Sequence, residues 1–220
     1  MFHVMNRAVH GTVLFRQPAD YAGFMRVLTE AGRRYDVGLL AYCVMPNHWH
    51  MVLRPGTDHE LSRCLQWLTM THAQRWRRAC GTSGRGAVYQ GRFRWVAVEH
   101  GIHFLRLCRY VEQNALRAKL TRRAEEWPWC SAWQRCHDDG EGPPLADWPV
   151  PRPAFWIDRL NAPWAETVLE AIRTCMRDER PYGSEAFRVE MAERYGVSLT
   201  PRGRRAGPKP SGSDRVTWRR

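Results

Sequence analysis

The chain has 220 residues, 44% of them hydrophobic, and its 34 basic and 22 acidic side chains give a formal net charge of +12. This length allows one domain with an appendage or two small domains, and a core that needs no disulfide support. A sequence pI near 10.0 favours a polyanionic partner, usually nucleic acid, although GC-rich coding would also enrich arginine. The longest apolar run, Val37–Met45, is too short to cross a bilayer, and the N-terminus lacks the pattern of a secretory signal.

The first part of the chain is predicted to form a strand, a helix and a β-hairpin. Residues 1–9 are strand-like, and residues 18–36 carry apolar side chains at helical spacing after a proline. Val37–Met45 and residues 48–53 read as two strands, which Pro46 and Asn47 join through a tight turn.

The next part repeats the alternation. Residues 59–80 predict a second helix, residues 88–98 an extended segment and residues 102–117 a third helix. The order β-α-β-β-α-β-α predicts an α+β fold: a ferredoxin-like antiparallel sheet with helices packed against it.

The composition changes beyond residue 137. Residues 138–154 are rich in Pro, Asp and Gly and read as a linker, and residues 164–195 predict two short helices. The last twenty residues carry seven basic side chains against Asp214 alone, which is typical of a disordered basic tail. We therefore expect a main domain at 1–137, a linker with a small helical extension at 138–200 and a basic tail at 201–220.

Two histidines alternate directly after the turn. On a strand, His48 and His50 project from one face, while Trp49 between them points to the other. Neighbouring imidazoles are ready metal ligands, but two half-exposed histidines beside a turn would have the same pattern.

The third helix has a polar side centred on a tyrosine. Tyr110 is flanked there by Arg106 and Arg117, whereas the opposite side is apolar except for Glu112, for which the sequence offers no account. This polar side suits a phenol that meets a phosphate, or equally an ordinary solvated helix face.

The two clusters together indicate phosphoryl chemistry. A metal held by His48 and His50 could polarise a phosphate, and Tyr110 could attack phosphorus to form a covalent ester. Asn114, one helical turn after the tyrosine, could offer a carbonyl oxygen as a third ligand.

The chain resembles the HUH single-tyrosine transposases, and within them the REP-associated tyrosine transposases. The similarity covers most of the chain and is carried by its segments HVMNR, AYCVMPNHWHMVLRP, LSRCLQWLTMTHAQRWRR, VYQGRFRWVAVE, LRLCRYVEQNALRAKL, WPWCSAW and RPYGSEAF. One departure concerns the tyrosine helix, because the family often has Asn-Pro and Arg-Ala-Gly where this chain has Asn114-Ala115 and Arg117-Ala118-Lys119. Since Pro and Gly favour helix termination, the end of this helix stays open.

The resemblance implies a function and its residues. It implies that His48 and His50 bind Mg²⁺ or Mn²⁺ with Asn114 as third ligand. It implies that Tyr110 cleaves hairpin-forming single-stranded DNA of the repetitive extragenic palindromic type, leaving a 5′-phosphotyrosine and a free 3′-OH. It also implies a bacterial enzyme that needs no ATP, because the phosphotyrosine conserves the bond energy.

Arginines are concentrated around the predicted site. Seven lie between Leu61 and Glu99, a stretch in which Glu99 is the one acid, and Arg92 and Arg94 alternate on the extended segment. Single surface arginines are usually only solvated charges, but a group of them suits phosphate contacts. We expect DNA contacts from Arg75, Arg92, Arg94, Arg106 and Arg117.

Two other functions remain possible from sequence. One is another HUH nuclease, such as a replication initiator or relaxase, which the compact size disfavours. The other is a non-catalytic single-stranded nucleic-acid-binding module. An odd number of cysteines without a Cys-x-x-Cys pair favours reduced thiols in a cytoplasmic, nucleoid-associated protein with no membrane partner, as a monomer or a homodimer.

Overall fold

A four-stranded antiparallel sheet forms the centre of the molecule. The computed structural model describes residues 1–84, 86–137 and 142–200. Its strands are β1 (Phe2–Arg7), β2 (Val37–Met45), β3 (His48–Pro55) and β4 (Arg94–Ala97). They are arranged in the order β2-β3-β1-β4, and each neighbouring pair is antiparallel. The predicted element order and the α+β, ferredoxin-like architecture are confirmed.

Two long helices cover one face of the sheet. They are α1 (Pro18–Arg34) and α2 (Asp58–Ala79). Pro18 opens α1 at a position where its missing N–H costs nothing, and Gln17 and Asp20 form a capping box there. Side chains such as Phe24 and Leu65 are buried against Trp49 of β3. Burial of each such side chain contributes roughly 1.5–3 kcal/mol.

The tyrosine helix covers the opposite face. It consists of α3 (Ile102–Glu112) and the short α4 (Asn114–Arg117). Phe104 and Leu107 of α3 pack on Leu40 and Val52 of the sheet. Because both faces are covered, β2 is apolar along nearly its whole length.

The tyrosine helix departs from the continuous helix predicted over 102–117. Gln113, with φ −90° and ψ 1°, interrupts it between α3 and α4. Lys119 adopts a left-handed φ of 58° at its end. The N–H of Leu120 bonds the carbonyl of Ala115 and that of Lys119 bonds the carbonyl of Leu116, at 3.0 and 2.9 Å. This is a Schellman cap, so the helix ends without the family's glycine.

The C-terminal region packs on the sheet edges. It contains α5 (Ser131–His137), α6 (Trp156–Asn161), α7 (Glu166–Asp178) and α8 (Glu185–Tyr195). The last two helices are the pair predicted within 164–195. Residues 142–154, the described part of the predicted linker, are docked: the amide of Ala146 bonds Leu39 O at 2.8 Å, and the Trp148 indole bonds Leu40 O at 2.8 Å.

The extended segment predicted over 88–98 is a regular strand only at 94–97. Before it, the buried Tyr89 hydroxyl accepts from Trp49 Nε1 at 3.1 Å and lies 2.7 Å from His72 Nδ1. The remainder of the predicted linker, 138–141, and the predicted tail, 201–220, lie outside the described residues. Across the described ranges, none of the helices combines the length and apolar character needed to span a bilayer.

Candidate functional site

Two histidines lie side by side on the face of the sheet that α3 covers. As the alternation predicts, His48 and His50 share this face, and their ring centroids are 5.0 Å apart. Trp49 points the other way and is fully buried. The turn before them is fixed because the amides of Leu14 and Phe15 both bond Pro46 O, at 2.8 and 3.0 Å.

Each of the two rings has a polar neighbour at Nδ1. His48 Nδ1 lies 2.6 Å from Asn47 Oδ1. His50 Nδ1 lies 3.0 Å from Nε2 of His3, a buried residue of β1. The Nδ1 atoms are thus engaged, and the Nε2 atoms of His48 and His50 are the candidate ligand atoms.

Burial keeps these imidazoles neutral. It lowers the pKa of His48 to about 4, with a smaller contribution from the charge of Arg7, and lowers the pKa of His3 to about 3. The pKa of His50 is well below its usual range, first because of burial and then because of the neighbouring histidines and Arg117. Since only a neutral imidazole can bind a metal ion, the pair is in the required form at neutral pH.

Tyr110 faces the histidines from α3. Its ring centroid is 6.2 Å from that of His50 and 6.5 Å from that of His3, in both cases edge to face. The Arg117 guanidinium lies over the tyrosine ring, 4.0 Å from its centroid, and donates to the Tyr110 carbonyl at 2.9 Å. The predicted polar side of the helix therefore faces the histidine pair.

Asn114 is close to the tyrosine but is already engaged. Its amide nitrogen donates to Val111 O at 3.2 Å, and its Oδ1 accepts from Arg117 Nη2 at 2.5 Å. An amide oxygen has two acceptor positions, so Arg117 leaves one for another partner.

The side chains at this site can supply only some of the ligands that a divalent ion needs. Two imidazoles and one amide oxygen are few ligands for Mg²⁺ or Mn²⁺, which complete their coordination with water and phosphate oxygens. Within the described residues, no group of three or more His, Cys, Asp or Glu side chains is placed to hold a metal. A metal at this site would therefore need the Asn114 amide oxygen beside the two imidazoles, with water or substrate phosphate oxygens completing its coordination.

The five predicted DNA-contacting arginines are not all in one place. Arg106 and Arg117 are on the tyrosine helix, and the charge of Arg106 partly offsets the rise that burial causes in the pKa of Tyr182. Arg94 is on the histidine face of β4, paired with Glu179 and donating to Arg177 O at 2.6 Å.

The other two arginines lie apart from this group. Arg92 is exposed in the loop before β4. Arg75 is on α2, across the sheet from Tyr110, and binds both carboxylate oxygens of Glu30 at 2.5 and 2.8 Å.

His3 is the site residue that sequence reasoning missed. It is 1% exposed and contacts both His50 and Tyr110. Its signal was the alternation of His3 and Arg7 on the first predicted strand, but only the pairing of β1 with β3 places it beside His50. The same pairing puts Arg7 opposite His48.

The chain is similar to known proteins in sequence and in fold. The sequence model of a family described as transposase, IS200 like, matches residues 1–114, which include the histidines, Tyr110 and Asn114. The fold is similar to that of a REP-associated tyrosine transposase bound to a REP hairpin (TM-score 0.50, 17% identity, 67% of this chain and 87% of that chain). A candidate transposase from Deinococcus radiodurans R1 is also similar (TM-score 0.39, 15% identity, 54% of this chain and 83% of that chain). No curated protein matches the sequence.

Proposed function

The chain belongs to the IS200-like transposase family, and we propose that it cleaves and rejoins hairpin-forming single-stranded DNA with Tyr110 as the nucleophile. The observation that carries this proposal is the placement of the Tyr110 ring 6.2 Å from the ring of His50, next to His48. A nucleophile and a pair of neutral imidazoles thus face each other on one side of the sheet.

The chemistry assigns a step to Tyr110 and its neighbours. The phenol oxygen of Tyr110 attacks the scissile phosphorus as its proton leaves to solvent, the bond from phosphorus to the 3′-oxygen breaks, and that oxygen takes up a proton. The products are a 5′-phosphotyrosine and a free 3′-OH, and attack by a 3′-OH on the phosphotyrosine reverses the step. A divalent ion bound by His48, His50 and Asn114 would supply charge stabilisation at the phosphate.

Arg117 prepares the tyrosine for this step. Its guanidinium stacks on the Tyr110 ring and bonds both the Tyr110 carbonyl and Asn114 Oδ1. One planar cation therefore fixes the spacing between nucleophile and amide, and it keeps positive charge beside the incoming phosphate.

The proposed substrate is a DNA hairpin of the REP type. The structural relative of similar fold is bound to a REP hairpin. We assign the chemistry to residues 1–137. The tail at 201–220 carries seven basic residues against Asp214, and we assign it a non-specific contribution to DNA affinity. The protein would act in the cytoplasm on chromosomal DNA, as a monomer or a homodimer.

The test is formation of a covalent adduct on labelled hairpin DNA. Wild-type protein with Mg²⁺ should yield a protein–DNA species that survives SDS, and Tyr110→Phe or EDTA should abolish it. Tyr35→Phe, on the other side of the sheet, is the matched control and should behave as wild type. Hairpin binding that persists in every case without any adduct would instead identify a non-catalytic single-strand-binding module.

A further inference from the structure

His3 is a polar side chain in a place where an apolar one would be expected. It is 1% exposed at the centre of the sheet, paired with the buried residues Val52 of β3 and Val96 of β4. Burying an imidazole costs free energy unless its polar atoms are bonded. Its Nε2 has a partner, His50 Nδ1 at 3.0 Å, with the two rings stacked at 5.2 Å and 20°.

The two candidate metal ligands have matching surroundings. Behind His48 lies Asn47 Oδ1, an atom that can only accept, so His48 Nδ1 donates to it. A neutral imidazole carries one N–H, and a proton on Nδ1 leaves the lone pair of Nε2 free. His3 occupies the corresponding position behind His50.

The bond between His3 and His50 has two possible directions with opposite consequences. If His3 Nε2 donates, His50 carries its proton on Nε2, and that atom cannot bind a cation. If His50 Nδ1 donates, its Nε2 lone pair is free. A partner that accepts at the far nitrogen of a ligating histidine is the usual way in which proteins fix this choice.

We propose that His3 is a positioning residue whose Nε2 accepts the Nδ1 proton of His50 and thereby holds His50 Nε2 ready for a divalent cation. This inference rests on the proposed function, because it presupposes the cation. His3 is also edge to face with the Tyr110 ring, so one side chain orders the ligand and borders the nucleophile.

The first test measures Mn²⁺ binding to the DNA-free protein by electron paramagnetic resonance. His3→Leu removes the acceptor and should weaken Mn²⁺ binding 10- to 100-fold, the usual effect of losing such a partner. His3→Gln restores an accepting oxygen and should stay within about threefold of wild type. His72→Gln replaces an equally buried histidine on the other face and is the matched control.

The second test needs no variant to fold. Long-range ¹H–¹⁵N correlation spectra of the wild-type imidazoles report which nitrogen carries each proton. The proposal requires the proton of His50 on Nδ1, and a proton on Nε2 would overturn it. If His3→Leu folds and binds Mn²⁺ with wild-type affinity, that result would also overturn the proposal.

These outcomes separate the inference from the proposed function. Wild-type protein that forms the DNA adduct with Mn²⁺, together with unimpaired Mn²⁺ binding by His3→Leu, would refute only the role of His3. Wild-type protein that neither binds Mn²⁺ nor forms the adduct would refute the proposed function itself.

Discussion

Glu112 is a fully buried carboxylate, and its replacement by glutamine should be strongly destabilising. Its Oε1 accepts from Ser131 Oγ and Arg135 Nη1, both at 2.6 Å, and its Oε2 accepts from Trp156 Nε1 at 2.8 Å. It therefore ties the tyrosine helix to α5 and α6. Three donors converge on the two oxygens of this carboxylate, and an amide, which has one acceptor oxygen, cannot accept from both sides.

The magnitude follows from these contacts. In Glu112→Gln, an amide that keeps its oxygen toward Ser131 and Arg135 turns its own N–H groups against the Trp156 indole. One buried donor then lacks a partner, at a cost of about 1–3 kcal/mol, and the Arg135 contact loses its ionic character, at a further cost of about 1.5–3 kcal/mol. We expect a total of about 2.5–6 kcal/mol, or a melting temperature lower by roughly 5–24 °C at 2–4 °C per kcal/mol.

The assay is urea unfolding with a matched surface control. Glu166→Gln removes a carboxylate whose side chain is 77% exposed and whose pair with Arg173 is 3.2 Å long. Such a pair contributes at most about 1 kcal/mol, so this variant should unfold nearly as wild type. The reasoning would be refuted if the free energy of unfolding of Glu112→Gln were as close to that of wild type as the value for Glu166→Gln is.

Other variants probe the fold and the site. Burial lowers the pKa of His72 to about 4 from 6.5, so the unfolded chain binds a proton that the folded chain does not, and stability falls as pH drops through this window. From about pH 7 to about pH 5 this should cost about 2 kcal/mol, measured by urea unfolding, and His72→Gln should lack that part of the slope. Lys119→Gly should raise the free energy of unfolding by roughly 0.5–1 kcal/mol, because glycine adopts the left-handed backbone conformation of this position without steric cost. A lower free energy of unfolding would contradict this. Arg117→Lys should slow adduct formation about 10- to 100-fold, since lysine cannot bond two acceptors while stacking on Tyr110, whereas Arg75→Lys should change it less than about twofold; equal effects would refute the assignment.

The sequence was sufficient for those features that depend on local periodicity. The helix and strand order follows from spacing of apolar residues, and the shared face of His48 and His50 follows from the alternation of a strand. The polar side of the tyrosine helix was equally readable, because Tyr110, Arg106 and Arg117 recur at helical spacing.

The features it could not supply depend on contacts between distant segments. His3 gains its place only through the register of β1 with β3, which brings it beside a residue 47 positions away. Glu112 looked anomalous on an apolar face because its partners come from α5 and α6. Arg75 was predicted as a DNA contact because it lies in an arginine-rich stretch, but its helix packs on the face of the sheet opposite Tyr110.

The central claim is that Tyr110 becomes covalently linked to DNA, and mass spectrometry of the trapped adduct tests it most directly. Wild-type protein is incubated with hairpin DNA and Mn²⁺, digested with protease and nuclease, and searched for a nucleotide-bearing peptide. We predict a phosphodiester on Tyr110 itself, with a free 3′-OH on the released strand. A modification on any other residue, or cleavage that leaves a 3′-phosphate and no linked peptide, would contradict the account.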